Sequence, residues 1–137
     1  MRGVSLPVST AQSSHAADAF SRQDLDGFLA VCDPEIVLVS RHLELDGSGH
    51  LSGHAAVRRW WETLLALYPE FTSDVEEIRD LGDVTIACHN FRGQANGSGA
   101  QLEQRHWQVT RWRDGKAIWW QSLPTEAEAV EIAGVSV

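Results

Sequence analysis

Histidine is the side chain whose charge changes near neutral pH, so the six histidines of this sequence are the first place to look for chemistry. His106 lies in a strand-like run, Gln101 to Arg113, whose alternate residues divide into two sets. Gln104, His106, Gln108, Thr110 and Trp112 are neutral, polar or aromatic. Glu103, Arg105, Trp107, Val109 and Arg111 hold the charges. Strand side chains alternate between faces, so the first set suits a pocket wall and the second an exterior. His106 is then the candidate general acid or base; the alternative is an imidazole that is only hydrogen-bonded within a polar wall. Ile86, Cys88, Asn90 and Arg92 are expected on the same wall, with Ile118, Trp120, Ser122, Leu38 and Ser40. Ser40, Asn90, Gln104 and Gln108 would orient a ligand's polar groups, and Trp120 and Trp60 would give apolar contact. His89, on the opposite alternation from Asn90, is expected on the outer face or at an interface, and His42 on the surface near the pocket rim.

His50 and His54 have the HxxxH spacing that suits a metal only when both lie on one helix. Ser52-Gly53 starts a helix between them, which favours a loop. There is no GxSxG, no glycine-rich phosphate loop and no other ligand-like spacing. The sequence therefore predicts no metal and no cofactor. The six tryptophans fit either plain core filling or an aromatic lining for a flat ligand. Trp107 and Trp119 fall on the outer alternation, where an exposed aromatic pair suggests a homodimer interface.

The elements that would position these residues can be read from periodicity. A tail is expected over residues 1–9 and one domain over 10–137. A helix should begin near Ser9 or Thr10 and run to Cys32, with Leu25, Phe28, Leu29 and Cys32 on one stripe, stopped by Asp33-Pro34. Ile36 to His42 reads as a strand. A helix follows from Ser52-Gly53 to Pro69, with Val57, Trp60, Trp61, Leu64, Leu67 and Tyr68 on its apolar face. Strands are expected over Phe71–Asp80, Val84–Ala95, Gln101–Arg113 and Ala117–Leu123, with Asp114-Gly115 as a two-residue hairpin turn. Pro124 opens a last helix, Thr125 to Ala133. Strands gathered in one run argue for an α+β fold.

Composition narrows the function classes. Eleven basic against 19 acidic residues give a net charge of -8, with no basic stripe, which disfavours nucleic acid and an anionic membrane surface. No apolar run approaches membrane length. Cys32 and Cys88 suit buried, reduced thiols. With no signal-like N-terminus, the expected address is the cytoplasm.

The words Arg22-Gln23-Asp24-Leu25-Asp26-Gly27-Phe28-Leu29-Ala30 and Asp33-Pro34-Glu35-Ile36 resemble the first-helix signature of the SnoaL-like branch of the nuclear-transport-factor-2-like superfamily. Gly53 to Trp60, Arg113-Asp114-Gly115-Lys116 and Ala127 to Gly134 resemble its second helix, last hairpin and tail. The resemblance implies a conical half-barrel: a curved, mostly antiparallel sheet wrapped on helices around one apolar pocket, commonly as a dimer. It also implies relatives that are polyketide cyclases, ketosteroid isomerases, scytalone dehydratases or limonene epoxide hydrolases. The isomerases' base falls on Ser40, their oxyanion tyrosine on Ala16 and their protonated aspartate on Gln108, so that mechanism is not expected. Nor is the Asp/Arg/Asp set of the epoxide hydrolases present. The resulting expectation is a cofactor-independent, cyclase- or isomerase-like enzyme for a flat apolar (polyketide-, steroid- or terpenoid-like) substrate. The alternative is a non-catalytic ligand-binding or dimerisation module.

Overall fold

The computed structural model describes residues 8–39 and 50–135. Ser40 and His42 lie outside the described residues, as does the side chain of His50. The elements run α1 (Val8–Ser21), α2 (Leu25–Leu29), β1 (Cys32–Val39), β2 (His50–Ser52), α3 (His54–Leu67), β3 (Phe71–Asp80), β4 (Val84–Gln94), β5 (Gln101–Arg113), β6 (Lys116–Leu123) and α4 (Glu126–Val135).

The expected first helix is broken in two. Gln23 adopts a positive φ of 58°, which ends α1, and Asp24 then caps α2, its Oδ1 accepting from the Gly27 N–H at 3.0 Å. A side-chain acceptor at this position satisfies one of the N–H groups that a helix start leaves unpaired. Asp33-Pro34 does not stop a helix. It lies in the irregular opening of β1, where the register against β6 shifts between Cys32 and Val37. Proline has no N–H to give to a ladder, and a bulge is where a strand tolerates it.

The strands form one curved, unclosed sheet in the order β2-β1-β6-β5-β4-β3. Neighbours are antiparallel except for the parallel pair β1–β6. The β5–β6 turn has Asp114 at φ 52° and Gly115 at φ 76°, the double positive φ of a type I′ hairpin, whose twist matches that of the flanking strands.

The concave face carries the larger core. Phe20 of α1, Phe28 of α2 and Val57 and Trp61 of α3 pack on Ile36, Phe71, Phe91, Trp112 and Trp120 of the sheet. The convex face carries a second cluster, in which Ala129 and Ala133 of α4 meet Val84, Ile86, Val109 and Leu123. Small alanines let α4 lie close to the sheet, so the aromatic pair expected to be exposed on this face is partly covered. Trp107 and Trp119 are half-buried beside this cluster. Each also lies under a guanidinium, Arg79 at 5.3 Å and Arg111 at 4.9 Å from the ring centre. Arg111 also donates to the Ile132 carbonyl oxygen of α4 at 3.4 Å.

Candidate functional site

A cavity of about 440 Å³ opens between the concave face and the helices, within the range of small-ligand pockets. Along β5 the residues that line it pass from exposed Gln104, through half-buried His106 and Gln108, to buried Thr110 and Trp112. Gln104 thus marks the mouth and Trp112 the floor. Trp112 is held there by a hydrogen bond from its Nε1 to Thr85 Oγ1, 2.9 Å. From β6, Trp120 and Ser122 join the wall, and opposite stand Phe20, Phe28, Trp60 and Leu64. Ala16 also borders the space, so the position of the isomerases' tyrosine carries only a methyl group.

The neighbouring strand reverses the expected choice. Asn90 does not reach the cavity: it lies on the outer side and its Nδ2 donates to Glu103 at 3.0 Å. Ile86, Cys88 and Arg92 share that outer alternation, while His89 and Phe91 line the cavity. The reason is register. Gln94 pairs with Gln101, so every facing pair joins an even-numbered residue to an odd one, and facing residues share a side of the sheet. His106 therefore faces His89, and Gln104 faces Phe91. On β6 the register shifts between Arg111 and Trp112, which puts Ala117, not Ile118, at the cavity floor. Leu38 is buried in the concave core.

His89, unexpected at the site, is its most constrained titratable group. It is 7% exposed, its Nδ1 lies 3.4 Å from Ser73 Oγ, and its ring stacks on that of His106 with centroids 5.1 Å apart and planes 5° from parallel. Burial, reinforced by neighbouring His106, pushes its pKa down to about 3, because an imidazolium loses hydration there. At neutral pH His89 is an uncharged ring. Cys32, also on the lining, has its thiol pushed up to about 12 by burial, with Lys116 opposing, so it is no nucleophile.

Among the described residues that line the cavity there is no Asp, Glu, Lys or Arg. A buried permanent charge on a ligand would find no counter-charge among these described lining residues. The aromatic wall is tightly joined: Trp60 meets Trp120 edge to face at 4.5 Å and stacks on Phe20 at 5.5 Å. Trp120 Nε1 is buried without a hydrogen-bond partner among the described residues. His54 is the first residue of α3, and its Nε2 lies 2.9 Å from the Cys32 carbonyl oxygen, a structural contact. Among the described residues no three His, Cys, Asp or Glu side chains gather as metal ligands would.

The SnoaL-like domain family matches residues 14–120 of the chain. The protein belongs to the SnoaL-like family. No curated protein sequence matches it. Solved structures similar to this SnoaL-like chain include a nuclear-transport-factor-2-like protein of unknown function from Burkholderia pseudomallei, with 20% identity, 92% of this chain and 97% of that one covered, and a TM-score of 0.78. Another is TerC co-crystallised with polyporic acid, at 15% identity, with 93% and 99% covered and a TM-score of 0.76. A protein from a Jannaschia species, described as a SnoaL-like polyketide cyclase, has 16% identity, 96% of each chain covered and a TM-score of 0.73. At these identities the likeness is one of fold. Among the described residues no helix is long and apolar enough to cross a membrane.

Proposed function

We propose that this SnoaL-like protein is a cofactor-independent enzyme of the cyclase or isomerase kind, acting on a flat apolar substrate by acid–base chemistry at His106. The observation that carries the reading is the half-buried His106 on the wall of an aromatic cavity whose described lining is otherwise free of formal charge. In such a site a neutral imidazole takes a proton from a C–H or O–H of the substrate and returns it at another atom, leaving the enzyme unchanged. Gln104 and Gln108 flank His106 on the same side of β5 and would orient carbonyl or hydroxyl groups, with Ser122 and, from outside the described residues, Ser40. Trp60 and Trp120 would give the ring contacts. That TerC was crystallised with polyporic acid supports a small organic ligand for the shared fold.

Two further parts belong to this proposal. Self-association as a homodimer rests on the half-buried Trp107 and Trp119 beside α4, a narrower ground than an exposed aromatic pair. A cytoplasmic address fits the two free, buried cysteines.

Replacement of His106 by alanine tests the reading. Turnover of any substrate found should fall by about 10²–10⁴-fold, the usual contribution of a general acid or base, while binding stays within about tenfold. An unchanged rate would leave the non-catalytic ligand-binding or dimerisation module as the function.

A further inference from the structure

An acid–base histidine must carry its charged form for part of each cycle, so the groups packed against His106 bear on its action. One of them is another ring, that of His89. We infer that His89 is a positioning residue: its uncharged ring face supports the imidazolium of His106 and fixes that ring's orientation on the wall. The inference rests on the reading of His106 as the acid–base group.

Several observations converge on it. The two rings are nearly parallel, at a separation typical of offset stacking. They are a facing pair in the β4–β5 ladder, so the backbone of both strands fixes their distance. Ser73 Oγ reaches His89 Nδ1 from β3, and Ser73 is itself tied down, its carbonyl oxygen accepting from Ser21 Oγ at 2.9 Å. His89 is thus anchored from behind while His106 is half-buried toward the cavity. A cation over an electron-rich ring face is favoured, more so where water is excluded. Burial keeps His89 neutral, which is the state such a support needs.

The other titratable groups that the described residues place near the pair lie elsewhere on the wall or behind the sheet. Cys32 of β1 and Tyr68, at the end of α3, face the cavity; burial holds the Cys32 thiol protonated. Arg105 and Glu76 lie on the opposite side of the sheet and pair with each other at 2.7 Å. Glu103, also on that side, accepts from Asn90. From α1, helix residues Ser13, Ala16 and Ala17 face the cavity, and none of them ionises near neutral pH.

The test is a substrate-free NMR titration of the His106 ring in the wild type and in His89→Leu and His89→Phe. Leucine removes the ring face and phenylalanine restores one. The expected result is a His106 pKa lowered by about half a unit to one unit in His89→Leu and brought back to within about 0.3 unit in His89→Phe. An unchanged His106 in the leucine variant, or equal shifts in both variants, would overturn the inference. Should the leucine variant not fold, His89→Gln, which also removes the ring face, takes its place, with the same lowering of the His106 pKa expected and an unchanged His106 overturning the inference. No turnover is needed, so failure here is distinct from failure of the acid–base role, which the His106→Ala rates test separately.

Discussion

Burial holds the His89 imidazole near a pKa of about 3, against 6.5 for the unperturbed group, and that gap links folding to pH. Above 6.5 neither the folded nor the unfolded chain protonates His89, and its neutral burial contributes in full. As pH falls toward 3, the unfolded chain binds a proton that the folded chain refuses, so stability is lost. Between pH 7 and pH 5, still above most carboxylate titration, the loss from this one group should be about 2 kcal/mol. Urea unfolding of wild type and His89→Leu at both pH values checks this: the wild type should lose about that much more than the variant. Equal losses would mean that His89 charges freely in the folded protein. Its place at the site was not legible from alternation within one strand, because either set of β4 residues reads plausibly as a wall. Only the pairing of Gln94 with Gln101 assigns His89 inward and Asn90 outward.

At the scale of elements, strands β3 and β5 begin and end where periodicity and turn residues predict, at Phe71–Asp80 and Gln101–Arg113. Those boundaries are set locally, by Leu81-Gly82-Asp83 on one side and Asp114-Gly115 on another. The division of the first helix was less legible, since the stripe Leu25, Phe28, Leu29 and Cys32 continues a helical period across the break. The local signal was Asp24, an acceptor three residues before the flexible Gly27. Asp24→Ala should therefore cost about 0.5–2 kcal/mol, read as a lowered urea midpoint; no change would mean that packing of Phe28 and Leu29 alone holds α2. The cavity floor depends on a longer-range link between β4 and β5. Thr85→Val would strand the buried Trp112 N–H and should cost about 1–3 kcal/mol. A smaller cost would show that Trp112 finds another acceptor.

For the whole molecule, the two faces of the sheet have different partners. The concave face meets three helices and holds the cavity, and the convex face meets α4. Nothing in the spacing of Trp107 and Trp119 alone told that a helix of the same chain would reach them, because the contact of Ala129 and Ala133 with Val84 and Val109 is long-range. If the remaining tryptophan surface also joins two copies, sedimentation at micromolar concentration should show a dimer, and Trp107→Asp should weaken it, since a charge is costly in a desolvated interface. Monomer alone in the wild type would mean that the protein does not self-associate through this face.

The six indole N–H groups are natural reporters of whether the concave cavity with His106 is the ligand site. Two-dimensional NMR during a titration with 1-naphthol, a flat hydroxylated ring compound, reads all of them together with the His106 ring. Binding in the cavity should shift Trp60, Trp120 and His106, which line it, and leave Trp107 and Trp119 on the other face unmoved. Shifts confined to Trp107 and Trp119, or none at saturating probe, would contradict it.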